Sequence, residues 1–301
     1  SLNKYIVKLK MSNNKIAIFL IIISVFFGTL MLTFLKLAQE EVNVYVAGFF
    51  RFILGLIIIS PYIVKTKFTV FKTSHFKKHF VRSVLNLPAM LLYFSTLVML
   101  PIEKVTAISF VVPLIVTVLA VLFLGEKIYI YRTLALILGF SGMLIILRPG
   151  FIDISIGVYM ALFSSFLWSV VIIITKKISK EDSSITILSY QSVFMSIFSF
   201  IIVLFFWETP SSKTFFYLFL AALSGTILHL ALNHAYKLVD VSMTQPYSFL
   251  SLVFASIIGF FVFSEMPDLF TWLGASIIFL GVLIISYREM KLDKEIIRKR
   301  L

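Results

Sequence analysis

The stretch YFSTLVMLPIEKVTAISFVVPLIVTVLAVLFLGEKIYIYRTLALILGFSGMLIIL, Tyr93 to Leu147, has a shifted counterpart near the C-terminus. That counterpart is SFLSLVFASIIGFFVFSEMPDLFTWLGASIIFLGVLIIS, Ser248 to Ser286. Each copy runs a long apolar span into a glutamate, Glu126 or Glu265, turns through a short connection and begins a second apolar span. Without a gap, Leu134 falls on Leu273, Phe140 on Phe279 and Gly142 on Gly281. An internal repeat of this length governs how the rest of a chain is read.

Working outward, Phe26-Phe27-Gly28-Thr29 aligns with Phe166-Leu167-Trp168-Ser169, Lys36 with Lys176, and Arg51 with Gln191. The halves are residues 11–150 and 151–290, followed by a basic cytoplasmic tail, 291–301. The chain is 60% hydrophobic and only 14% charged. Apolar runs of about twenty residues recur, each enough to cross a bilayer core of about 30 Å at about 1.5 Å per residue. The expected spans are 15–36, 43–64, 80–98, 104–124, 128–147, 155–175, 184–206, 214–236, 241–263 and 268–287.

The net charge of +13 arises from Lys and Arg that alternate with these spans. They form no aromatic-interleaved patch, so the charge implies no nucleic-acid partner. It is the bias of cytoplasmic loops, and it places both termini inside. The basic loop from Lys65 to His79 then lies on the anionic inner leaflet. Five spans per half is an odd number, so the second half inserts upside down, and a site is expected between the halves near the midplane. The fold class is an all-α membrane protein of ten transmembrane helices in two inverted five-helix repeats. The chain is expected to sit in the lipid bilayer as a monomer or homodimer.

Cysteine is absent, no enzyme motif is present, and the connections leave no room for a catalytic domain. The reading is therefore no enzyme, no cofactor and no metal site. Polar residues inside a span are the default functional candidates. His229 and Asn233 stand four apart on the eighth span with Tyr236 three further on, one helix face. They serve either as interhelical hydrogen bonds of about 0.6 kcal/mol each or as the wall of a wet site. Gln245, Tyr247 and Ser251 cluster with Pro246 at the start of the ninth span, and Ser109 precedes Pro113 in the fourth. Prolines free backbone carbonyls and break helices. Trp168 at mid-depth is a candidate wall able to stack on a cation or a purine. Tyr93 and Asn86 complete the substrate-binding candidates.

Arg51 reads as structural, snorkelling outward or pairing with a carbonyl or with Glu40 or Glu41. Glu126 and Glu265 read as hairpin caps. Ala135 with Gly142, and Gly274 with Gly281, are small residues seven apart that let two helices approach closely.

The repeated apolar span, Gly-Glu or Ser-Glu, and Gly-x-Leu-Ile span resembles the drug/metabolite transporter superfamily, EamA type, across residues 15–287. That resemblance implies ten helices around a central cavity. Arg51-Phe52, AISFVVPLIVTVLAVLFLGE (Ala107 to Glu126), Gln245-Pro246-Tyr247 and the segment from Phe263 to Asp268 are also similar to S-adenosylmethionine uptake transporters of intracellular alphaproteobacteria. The expected function is alternating-access transport of a small amphipathic or zwitterionic metabolite, with S-adenosylmethionine the candidate that this likeness implies. The alternative on the same fold is an exporter of amino acids or drugs.

Overall fold

In a computed structural model of the chain, residues 2–100, 105, 108–147, 155–263, 266 and 268–298 are described. Among them there are helices and no strands. We number the principal helices α1 (Leu2–Ala38), α2 (Val44–Lys65), α3 (Phe76–Met99), α4 (Val111–Leu124), α5 (Ile130–Leu147), α6 (Ile156–Ile178), α7 (Ser184–Val203), α8 (Ser212–Leu238), α9 and α10 (Leu269–Arg298). The ninth is broken into an α-turn, Val241–Thr244, a 3-10 stretch, Gln245–Phe249, and an α-helical remainder, Leu250–Phe263.

Eight of the expected spans are long and apolar enough to cross a membrane. The other two correspond to shorter apolar helices. The 14 described residues of α4 reach about 21 Å at the usual rise. The expected fourth span began at Lys104, which lies outside the described residues, as do Arg148 and Glu265. The break before Val111 falls two residues ahead of Pro113, where the chain turns at Phe110. Pro246 sits likewise in the 3-10 stretch of α9. Both prolines interrupt their helices because each lacks an amide donor and its ring crowds the preceding turn.

Local chemistry starts the helices where polar residues precede apolar runs. Asn43 accepts from the amides of Tyr45 (3.0 Å) and Val46 (3.1 Å) at the head of α2. Ser183 and Ser211 accept from Thr186 and Thr214 at the heads of α7 and α8. These caps satisfy amides that an α-helix leaves open. Inside the spans, hydroxyls mostly return to their own helix, as Ser165 does to the Ala161 carbonyl (2.7 Å) and Ser169 to that of Ser165 (2.7 Å). Such bonds let polar side chains sit in an apolar setting.

Two expectations need correction. His79 is not in a loop: α3 begins at Phe76, and His79 is fully buried with Nε2 2.7 Å from the Asp182 carboxylate. The tenth helix does not end at the expected Tyr287, since α10 continues through Arg298.

Helix packing pairs up when the halves are exchanged. α1 packs on α8 as α6 packs on α3, and α1 on α9 as α6 on α4. α2 meets α8 as α7 meets α3, while α2 with α7 and α5 with α10 map onto themselves. The α5–α10 contact is set by the small residues read from sequence. A Cβ on Gly142 would lie 2.6 Å from the Gly274 carbonyl oxygen, and one on Gly281 would lie 3.3 Å from that of Ala135. Any larger side chain at Gly142 pushes these backbones apart.

Candidate functional site

A cavity of about 290 Å³ lies between the halves. Its wall draws on α1, α2, α3 and α4 with the Ser109 turn before it, and on α6, α8 and α9. This volume is near the lower end for small-molecule sites, about 300–1,000 Å³. Most of the wall is apolar, with Phe52, Phe94, Phe110, Pro113, Ile172, Leu228 and Leu232 among its residues.

Seven of the nine sequence candidates line it: Trp168, Tyr93, Asn86, Ser109, His229, Gln245 and Ser251. Trp168 stands edge-on to His229, ring centroids 5.9 Å apart at 70°. Nε2 of His229 in turn lies 3.4 Å from the amide nitrogen of Gln191. Ser109 donates to the Val105 carbonyl (2.8 Å), and its oxygen is 3.2 Å from the Tyr93 hydroxyl. Gln245 is less free than its position suggests. Its amide nitrogen is held by the Val241 carbonyl (3.0 Å) and the Thr244 hydroxyl (2.9 Å).

Asn233 lines a second, much smaller void of about 10 Å³ beside the first, with Arg82, Gln191 and Thr175, and its amide nitrogen has no hydrogen-bond partner among the described residues. Trp168, Ile172, His229, Leu232 and Tyr236 form the partition, since they line both spaces. The structure places Tyr247 elsewhere. It is fully buried against Ile21, Ala235 and Ile285, with its hydroxyl 2.7 Å from that of Ser286. The 3-10 winding turns Tyr247 toward α10 and leaves Gln245 and Ser248 on the cavity side.

Arg51 is the main residue that the sequence assigned differently. It neither snorkels nor pairs with Glu41. It is 2% exposed and lines the cavity, while Glu41 is held by the Ser211 amide (2.8 Å), the Ser211 hydroxyl (2.7 Å) and the Thr214 hydroxyl. Ser24, Gly28, Thr29 and Thr244 also line the cavity without having been singled out. The repeat carried a usable signal: Gly28 is the counterpart of Trp168, and Arg51 that of Gln191 beside His229.

One end of the site is bolted across the halves. The Glu126 carboxylate accepts from the amides of Val241 (2.9 Å) and Ser242 (2.9 Å) at the head of α9. It therefore caps a helix of the other half rather than its own hairpin, as a negative charge at a helix start favours. Within the second half, Lys176 donates to the Tyr236 (2.5 Å) and Val239 (2.6 Å) carbonyls at the end of α8. Arg132 reaches Asp240 (3.2 Å) and the Ser242 hydroxyl (2.9 Å).

Comparison with known proteins agrees with this architecture. A protein of known crystal structure superimposes with a TM-score of 0.76 at 14% identity, covering 95% of this chain and 99% of its own, a likeness of fold alone. The S-adenosylmethionine uptake transporter of Rickettsia prowazekii is 30% identical over 256 residues, 85% of this chain and 87% of that protein. The one of Rickettsia felis is 32% identical over the same shares. The riboflavin transporter of Vibrio cholerae is 29% identical over 244 residues, 80% of this chain and 82% of its own length. The sequence model of the EamA-like transporter family matches twice, at residues 15–148 and 155–287. The chain is thus a multi-pass membrane transporter, not an enzyme, and it belongs to the EamA-like transporter family.

Proposed function

We propose that this chain carries a small amphipathic or zwitterionic metabolite across the inner membrane of a bacterium by alternating access, with S-adenosylmethionine the leading substrate, by uptake or exchange. The observation that carries this reading is the cavity itself: one hollow shared by the two halves, apolar in most of its wall, with Trp168, Tyr93, Asn86 and His229 as its aromatic and polar points. An indole at the wall suits a purine face, and stacking of a base on an aromatic side chain contributes about 1–3 kcal/mol. The rest of the wall suits a ligand that leaves water. The named substrate of the Rickettsia relatives has such a ring and a zwitterionic end, which is why it leads.

In this reading the two halves are inverted copies and ten helices cross the bilayer. The swap-symmetric packing supports that arrangement, because rocking one half against the other then opens either end of the same site. The bonds of Glu126 and Arg132 across the halves are what must part at one end. The riboflavin transporters favour a second substrate, a flavin, which would use the same aromatic wall without needing a charged group. Uptake of labelled S-adenosylmethionine and labelled riboflavin into proteoliposomes separates the two, and counterflow sets direction against the exporter alternative. Trp168→Ala is expected to lower S-adenosylmethionine flux about tenfold. Unchanged flux in that variant removes Trp168 from the site, and no flux in the wild type removes the substrate.

A further inference from the structure

Among the described residues, the cavity wall contains an arginine and no acidic side chain. Arg51 is 2% exposed, and among the described residues it makes no ion pair. Its Nε donates to the Met31 sulfur at 3.3 Å, its guanidinium lies 4.7 Å from the centre of the Phe52 ring, and Nη2 has no hydrogen-bond partner among the described residues. A thioether and a ring face are weak neighbours for a buried cation. A guanidinium in this setting is costly unless a counter-charge joins it, and its planar fork matches a carboxylate in a two-bond contact.

The seat is shaped for this group. Gly225 on α8 carries no Cβ, and one placed there would lie 2.2 Å from Nε and 2.4 Å from both Cζ and Nη2 of Arg51. Gly55, one turn along α2, would set a Cβ 3.2 Å from Nη1. Two glycines on two helices thus make room for the head group beside the cavity.

We infer that Arg51 is a carboxylate-binding residue of the transport site, so that the carried metabolite presents a carboxylate to α2 and α8. This deepens and rests on the reading of the cavity as the substrate site. It disfavours purely cationic ligands, because a cation would meet Arg51 with no carboxylate among the described wall residues to offset it. It also makes the zwitterionic end of the substrate a recognised group rather than a passenger.

The test measures binding to the full-length carrier in detergent by thermal shift, using pairs that differ only in the carboxylate. These are S-adenosylmethionine with its decarboxylated form, and amino acids with their amides. For the wild type, the carboxylate member of a pair is expected to bind at least tenfold tighter. Arg51→Gln erases that difference, and Arg51→Lys, which keeps the charge without the fork, retains part of it. Should Arg51→Gln fail to fold, Gly225→Ala crowds the same head group without removing it and is expected to weaken carboxylates several-fold while leaving amides unchanged. A carboxylate preference that is equal in wild type and Arg51→Gln overturns the inference, as does a wild type with no such preference in any pair. An amino-acid pair that responds while S-adenosylmethionine does not would reject that substrate but keep Arg51. S-adenosylmethionine flux that is equal in wild type and Arg51→Gln would do the reverse.

Discussion

Arg51 on α2 and Arg82 on α3 are each 2% exposed, and both border space between the halves. Arg82 gives Nη2 to the Ile187 carbonyl (2.9 Å) and Nη1 to the Thr175 hydroxyl (3.3 Å), tying α3 to α7 and α6, and of its three nitrogens Nε alone has no hydrogen-bond partner among the described residues. The void beside it holds about 10 Å³, room for one water at most. Arg51 lines about 290 Å³, and its Nη2, buried beside Gly225, has no hydrogen-bond partner among the described residues. The same side chain is therefore a brace where protein carbonyls reach it and a receptor where they do not. Burial alone does not separate the two roles; the supply of acceptors does.

The contrast can be broken most sharply by exchanging the two deletions. Arg51→Gln is expected to cut uptake of a carboxylate-bearing substrate at least tenfold, whereas Arg82→Gln should leave carboxylate preference intact. An Arg82→Gln carrier that lost the preference as fully would end the distinction. Next in size, Arg82→Gln should destabilise the carrier by about 1–3 kcal/mol, because it strips a charged donor from buried acceptors. A lowered apparent melting temperature in detergent reports this. Thr175→Val sharpens the same point on a smaller scale. It removes one long hydrogen bond from Arg82, for about 0.5–1.5 kcal/mol, with uptake specificity unaltered.

The smallest effect belongs to an exposed site remote from both arginines. Hydrogen bonds from Thr214 and from the hydroxyl and amide of Ser211 hold the Glu41 carboxyl below its ordinary value of 4.5. A depressed folded-state pKa adds stability above the unfolded value and loses it as pH falls through the folded one. Acidification below about pH 4.5 should therefore loosen the α1–α2 turn from the head of α8. Glu41→Gln should flatten the dependence of the melting temperature on pH there. An unchanged acid limb would show that this turn does not contribute.

The helices and their pairing were largely legible in the chain. Apolar runs of membrane length, proline positions and the spacing of Gly142 and Gly281 follow from backbone geometry and from the cost of polar groups in lipid, both local properties. The cavity was partly legible as well. Trp168, His229 and Asn86 announced themselves as polar or amphipathic groups at membrane depth. Tyr247 shows where that logic stops. The α-helical period assigns faces correctly only while the helix is regular, and the 3-10 winding after Pro246 rotated Tyr247 onto α10.

Sequence by itself determined that this is a repeated, all-helical membrane protein, because periodicity, hydropathy and repeat alignment are carried by residues near one another in the chain. Tertiary structure alone decided what Arg51 and Glu126 do. Arg51 gains its meaning from Gly225, 174 positions away in the chain, and from the acceptors it lacks. Glu126 gains its own from two amides on the far half. A charge in a membrane is defined by what surrounds it, and that is settled only when the two halves close on each other.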